Sequence, residues 1–290
     1  MSDIIVTPLL ERDGIKIGGY RKDLENEQWL AATAQPFYKF SYGAINPANL
    51  GDPLGLVDAI RIEDQSQLNS CAGNSVTSIA ESCLFLEGGI RDIQLSRMWA
   101  YIKGQAKSGI RGDNGATLEG CLKACSEGIP EERFAPYTNS YYTQFSEAAR
   151  ADTVNRKIKS WAAVAELMSV YEGLATGAGG IYLGIACTDV IFNCKGIIED
   201  WNEYSTGCHA MCVLDWSKRR VQGGLYAGWP YLKLFNSWKK SWGDNGTADV
   251  HPAAMLKMIR GRLSSVYFVS EMEFIKPRFD WKDANKRWAA

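Results

Sequence analysis

Gln65 stands six positions ahead of Cys71 in the run Asp64-Gln65-Ser66-Gln67-Leu68-Asn69-Ser70-Cys71. Apolar residues then recur at Val76, Ile79, Ala80, Cys83 and Leu84, the spacing of one helical face. Cys71 therefore falls at a predicted helix N-terminus, where unpaired backbone N–H groups and the macrodipole favour an anion and so favour thiolate over thiol. Ser70 is placed to cap that helix. A thiol near its ordinary pKa needs a base or cation beside it, and the chain supplies one far downstream. Gly207-Cys208-His209-Ala210-Met211-Cys212-Val213-Leu214 reads as a buried strand presenting an imidazole. Leu232-Lys233-Leu234-Phe235-Asn236-Ser237-Trp238 reads as a second strand ending in Asn-Ser-Trp. Taken singly, Cys71 is a helix thiol, His209 a core histidine and Asn236 a turn residue. Their occurrence in this order, with Gln65 and Trp238, is what points to chemistry.

These stretches resemble the papain-like cysteine proteases. The most specific one is Asn236-Ser237-Trp238-Lys239-Lys240-Ser241-Trp242-Gly243-Asp244-Asn245-Gly246, similar to the family's Asn-Ser-Trp-Gly and the Trp-Gly-x-x-Gly that follows. Leu95-Ser96, Tyr101, Gly128-Ile129, Pro136-Tyr137 and Gly179-Gly180-Ile181-Tyr182 fall in the same collinear order, so the resemblance runs from about Asp58 to about Val269. It implies an α+β, two-lobe papain-like fold. An N-terminal helical lobe would carry Cys71, an antiparallel β-barrel-like lobe His209 and Asn236, and the active site would lie in the cleft between them.

The chemistry implied is peptide-bond hydrolysis. Cys71 would attack the carbonyl as one half of a thiolate–imidazolium pair with His209. Gln65 and the Cys71 N–H would receive the oxyanion, and Asn236 would fix the imidazole behind the shield of Trp238. His209 would protonate the leaving amine and then activate water. Gly115, Ala116, Gly207 and Trp238 are the substrate contacts the resemblance implies. A catalytically silent assembly protein on the same fold and a thiol amidase or transpeptidase of cell-wall peptides are the alternatives; retention of Gln65, Cys71, His209 and Asn236 argues against the first, and Asn-Ser-Trp against the second.

Departures from the family pattern are equally specific. Leu68-Asn69-Ser70-Cys71-Ala72 replaces the Cys-Gly-Ser/Ala-Cys-Trp/Tyr signature. The Asp-Gln-x-x-x-x-Ser-Cys form is closer to divergent microbial and viral relatives, which makes a phage or virion component one expected setting. Leu68 and Gly112 occupy the two positions that a disulfide joins in secreted relatives. Losing both is permitted in the cytoplasm or another reducing compartment. Cys208 precedes the histidine, Lys239 replaces a glycine, and the polar, basic, Gly-rich Ser217–Tyr226 stretch predicts an inserted hairpin or loop.

Eight cysteines raise the question of metal. Cys208 and Cys212 on one strand would lie about 13 Å apart, too far to share one ion. Cys121 and Cys125 have helical spacing but no second pair, so neither metal nor cofactor is expected. Net charge of −1 and the absence of a long apolar run predict no nucleic-acid partner and no membrane span; the partner the resemblance implies is a protein or peptide substrate. The Met-Ser-Asp-Ile start shows no signal-peptide pattern.

The chain divides into an N-terminal extension (1–52), a helical lobe (53–160), a β lobe (161–270) and a tail (271–290). Helices are predicted from Cys71, around Leu95–Ala106 and Thr117–Glu127, with a short one at Ala162–Tyr171. Strands are predicted at Ile181–Ala186, His209–Asp215, Tyr231–Asn236 and Ser265–Val269. The extension is expected to pack on the surface without inhibiting. A protein partner, if there is one, would dock on the extension or on the tail, where Phe274, Phe279, Trp281 and Trp288 stand among charges.

Overall fold

Short polar side chains allow the segment behind Cys71 to be a helix with no outer face. In the computed structural model, which describes residues 45–204 and 207–274 in full and the backbone of residues 4–5, 10–12, 15–17 and 20–23, helix α1 (Leu56–Ala59) precedes α2 (Cys71–Gly88). Every residue of α2 from Cys71 to Leu84 is buried. The apolar spacing accounts for one stripe. The opposite stripe is buried because its hydroxyls bond to the helix's own carbonyls: Thr77 Oγ1 donates to Gly73 O (3.1 Å), Ser78 Oγ to Asn74 O (3.2 Å) and Ser82 Oγ to Ile79 O (2.7 Å). Glu81 accepts the Leu95 N–H at 2.7 Å, and burial raises its carboxyl well above the usual range.

On one side α2 packs against α3 (Arg97–Ser108), which in turn packs against α4 (Leu118–Glu127). Ser96 and Thr117 cap these two helices, accepting from Trp99 N and Gly120 N. Helix α5 (Glu147–Asp152) closes this half. On its other side α2 meets a seven-stranded sheet. Its members are β6 (Arg156–Ala163), β7 (Gly179–Ala186), β8 (Ile197–Ile198), β9 (Cys208–Arg220), β10 (Pro230–Phe235), β11 (Thr247–Val250) and β12 (Ser265–Phe274). Their order is β6-β12-β7-β9-β10-β11-β8. Helices α6 (Leu167–Ala175), α7 (Asp189–Phe192) and α8 (Pro252–Arg260) lie in the connections.

The expected barrel-like closure is not what forms. The sheet is open: closure would need β6 to pair with β8, and β8 offers two residues that pair parallel with β11 instead. The helix predicted at Ala162–Tyr171 begins only at Leu167, because Ala162 and Ala163 finish β6. The inserted stretch after His209 is the end of β9 and a turn closed by Val221 N to Trp229 O (2.9 Å). His251 caps α8 through Nδ1, which accepts from Ala253 N at 3.1 Å.

Asp215, buried on β9, accepts the N–H groups of Leu54 (2.9 Å), Leu56 (3.1 Å) and Trp216 (2.8 Å), and so fastens the approach to α1 onto the sheet. Four N-terminal strands are described: β1 (Ile4–Ile5), β2 (Leu10–Arg12), β3 (Ile15–Ile17) and β4 (Tyr20–Asp23). Strand β4 runs parallel to β5 (Ala116–Thr117), with Tyr20 opposite Ala116, and also approaches β9. Residues 24–44 of the extension lie outside the described residues, as does the tail beyond Phe274; the tail's first residues, 271–274, continue β12 past the predicted Val269. No described helix is long and apolar enough to cross a membrane.

Gly73 marks the closest approach of α2 to α3: a methyl there would meet Arg97 O, Tyr101 N and Tyr101 Cβ, each at 2.8 Å. Alanine gains about 1 kcal/mol of helix propensity over glycine, while overpacking against rigid backbone costs about 1–3 kcal/mol, and the contact is with backbone on both sides. Gly73→Ala is therefore expected to lose up to about 2 kcal/mol net in denaturant unfolding. A raised midpoint would show that the two helices are not so tightly opposed.

Candidate active site

Cys71 is the first residue of α2 and is fully buried. Ser70 holds the cap position, but its hydroxyl makes no cap bond; it lies 2.5 Å from Tyr137 Oη and 3.0 Å from Asn74 Nδ2, which draw it away from the helix end. Two hydrogen bonds hold the first two turns of α2 onto the sheet near His209. Tyr182 Oη donates to Ala72 O at 2.7 Å, and Ser75 Oγ donates to Ala210 O at 3.1 Å, one residue beyond the histidine.

His209 lies on β9 opposite Ile185 and is fully buried. Its Nε2 is 2.7 Å from Asn236 Oδ1. That oxygen also accepts the Ser237 N–H at 2.8 Å, which fixes the orientation of the amide. Because Oδ1 only accepts, Nε2 carries the hydrogen, and Nδ1 of the neutral ring carries the lone pair. Trp238 stacks on the imidazole (centroids 4.4 Å, 28°), Phe192 stacks on Trp238 (5.2 Å, 19°), and Trp242 meets Trp238 edge-on (6.3 Å, 88°). Trp242 Nε1 donates to Ile191 O at 2.7 Å and so ties α7 to this stack. Burial lowers the pKa of His209 to about 4, the Asn236 bond opposing it.

Gln65 is buried and is held on three sides. Its backbone N–H donates to Ser237 O (2.9 Å), its Oε1 accepts from Ser237 Oγ (2.8 Å) and its Nε2 donates to Leu68 O (3.1 Å). Ser237 thus orients both the asparagine and the glutamine. The segment ahead of Gln65 is anchored by a buried charge cluster. Arg97 Nη1 contacts Glu63 at 2.6 Å, Nη2 contacts Glu132 at 2.9 Å, and the guanidinium lies over Tyr137 at 4.2 Å. Lys239, at the family's glycine position, keeps a φ of +67° and donates its N–H to Glu63 O at 3.2 Å. Gly246 closes the same loop at a φ of +88°, where a methyl would strike Ile62 at 2.2 Å.

Gly115 and Ala116 stand at the start of β5: Gly115 N–H donates to Tyr101 Oη (3.1 Å), and Gly115 O accepts from Gln105 Nε2 (2.8 Å). Gly207 precedes β9 and accepts from Cys187 N at 2.8 Å. The position of β4 departs from an extension that only packs on the outside, since it takes the edge of Ala116. No disulfide joins any of the eight cysteines, and no metal-holding cluster is found among the described residues. Burial pushes the thiols of Cys83, Cys121, Cys125 and Cys212 up, away from ionisation at neutral pH. Sequence reasoning missed the role of Ser237, although Asn-Ser-Trp contains it. It also missed Phe192, which no spacing marks.

The sequence profile described as papain family cysteine protease matches residues 56–260. Comparison with curated proteins gives no match by sequence. Among solved structures, xylellain, a cysteine protease from Xylella fastidiosa, superposes with a TM-score of 0.68 at 16% identity, covering 91% of this chain and 99% of that one. Digestive procathepsin L 3 from the larval midgut of Tenebrio molitor gives 0.64 at 18% identity, covering 84% and 79%. The bromelain protease from Ananas comosus, in complex with the E64 inhibitor, gives 0.59 at 16%, covering 76% and 99%. With a profile match over most of its length and this architecture, the chain belongs to the papain family of cysteine proteases.

Proposed function

We propose that this chain is a cysteine peptidase in which Cys71 is the nucleophile, His209 the proton carrier, Asn236 the group that orients it and Gln65 an oxyanion donor. The observation that carries the reading is the bond from His209 Nε2 to Asn236 Oδ1. It leaves the lone pair on Nδ1, and α2 is bonded to β9 one residue beyond the histidine, at Ala210. Nδ1 takes the Cys71 proton as the sulfur adds to the peptide carbonyl. Gln65 Nε2 and the Cys71 N–H stabilise the resulting oxyanion, and the imidazolium protonates the leaving amine. Water, deprotonated by the same nitrogen, then releases the acyl group. Trp238 and Phe192 keep water from the Nε2–Asn236 bond, so that it holds its geometry through both steps.

Strand β4 takes part in this reading. An extended peptide binds a strand edge through main-chain hydrogen bonds, and β4 occupies the edge of β5 that such a peptide would use. With Cys71 and His209 both fully covered, the imidazole is held neutral, and the thiolate–imidazolium pair forms once the cleft is wet.

Replacing Tyr20–Asp23 by a Gly-Ser linker of equal length is expected to raise the rate of Cys71 labelling by E-64 about tenfold or more, since it removes a tethered competitor. Intact mass and peptide mapping should show one adduct, absent in Cys71→Ala. Equal labelling of several cysteines would sink the nucleophile assignment, and cleavage of cell-wall fragments but not peptides would replace the peptidase reading with an amidase.

The lowered pKa of His209 has a defined sign in stability. The folded chain resists a proton that the unfolded chain accepts near pH 6.5, so this contribution is complete above that value and is lost as pH falls toward 4. Between those limits the protein should lose on the order of 3 kcal/mol more than a His209→Gln variant measured alongside it. Parallel profiles would mean that the imidazole is hydrated in the folded chain.

A further inference from the structure

Two loops have to be held in register for a peptide bound along β5 to meet Cys71: the turn leading into α2 and the turn leading into β5. One carboxylate joins them. Asp113 Oδ1 accepts the Asn69 N–H (2.8 Å) and the Tyr101 hydroxyl (2.8 Å), while Oδ2 and the Asp113 carbonyl receive the Asn69 amide at 3.2 and 2.7 Å. Asn69 is two residues before the nucleophile, and Asp113 is two residues before Gly115. The Tyr101 hydroxyl, having donated to Asp113, accepts the Gly115 N–H at 3.1 Å. Gln105 Nε2 holds the carbonyls of Gly112 (2.6 Å) and Gly115 (2.8 Å), and its amide is oriented by Tyr141, whose hydroxyl donates to Oε1 at 2.9 Å. Asn69, Tyr101 and Gln105 are all buried, so each bond left unmade would strand a polar group away from water.

We propose that Asp113 is a positioning residue: with Tyr101 and Gln105 it clasps the substrate-binding edge at Gly115–Ala116 to the nucleophile turn at Asn69, a link made entirely of hydrogen bonds. Charge-assisted acceptance strengthens it, and its strength does not depend on redox conditions. The clasp acts on where a peptide lies, while the acidity and attack of the thiol are left to His209. Its consequence for turnover rests on the peptidase reading above; its existence does not.

The test uses the full chain with Asp113→Asn, which keeps the shape but sets a donor against the Asn69 amide, and Tyr101→Phe, which removes the hydroxyl hub. Amide hydrogen exchange followed by mass spectrometry is expected to quicken about tenfold or more in residues 67–70 and 112–117 together, with the interior of α2 and β9 unchanged. Peptides extended along the N-terminal side of the scissile bond should lose about tenfold in kcat/KM, mostly through KM, while alkylation of Cys71 by iodoacetamide changes less than about twofold. Exchanging the partners, Asp113→Asn with Asn69→Asp, should restore at least part of both effects. Quickened exchange in one loop alone, or iodoacetamide reactivity falling in step with turnover, would overturn the proposal. If the wild-type chain cleaves no peptide, the peptidase reading fails, and the exchange pattern with its rescue still decides whether the clasp exists.

Discussion

Helix α2 is enclosed on every face, and that constraint governs what surrounds it. A helix packed on one side can tilt or slide; one clamped between α3 and the β7–β9–β12 side of the sheet is fixed in all directions, and so is the cysteine at its end. Full enclosure demands small residues where other backbones come near. Gly73 against Arg97 and Tyr101 is one such place, and Gly180, where a methyl would come within 2.7 Å of Leu214 and 3.4 Å of Ile79, is another. It also demands that polar residues be satisfied inside, which the hydroxyls of Thr77, Ser78 and Ser82 accomplish by bonding back along the helix.

Around this fixed end, the other groups are set by contacts that cross between the halves. Gln65 reaches its place through Ser237, a residue of the sheet half, and through a segment pinned by Arg97. The buried Arg97 cluster sets desolvation against close pairing with two carboxylates. Burial raises the pKa of Glu63 and the Arg97 charge opposes that rise. Ser237 bonds to both Asn236 and Gln65, so the glutamine and the amide bonded to the imidazole are positioned by one residue.

Much of this was legible in the sequence, for reasons that can be named. Cys71, His209 and Asn236 lie at the ends or centres of long apolar patterns, and the Asn-Ser-Trp and Trp-Gly-x-x-Gly spacing specifies a stacked loop that few other folds require. The edge strand β6 was not legible. Its Arg156-Lys157-Ile158-Lys159 start is charged, as exposed edges are, and its alternation of buried and exposed residues shows only once β12 is beside it. The open sheet was hidden for a related reason, since the parallel pairing of β8 with β11 rests on two residues, Ile197 and Ile198. The Asp113 clasp joins positions 44 residues apart with no motif between them. The sequence showed only that Leu68 and Gly112 could not be joined by a disulfide; hydrogen bonds between their neighbours, Asn69 and Asp113, span the same two loops.

Closure of the site follows from how these parts combine. His209 is buried and held neutral, because its charge would have no water to support it, and Cys71 is buried as well. The same burial that gives His209 a shielded bond to Asn236 therefore opposes its protonation. On the peptidase reading proposed above, access and ionisation would be one event: whatever frees the edge of β5 from β4 would admit both a peptide and the water that lets the thiol transfer its proton. On that reading, the enclosure of α2 and the proposed clasp would let the cover leave without the groups beneath it having to rearrange.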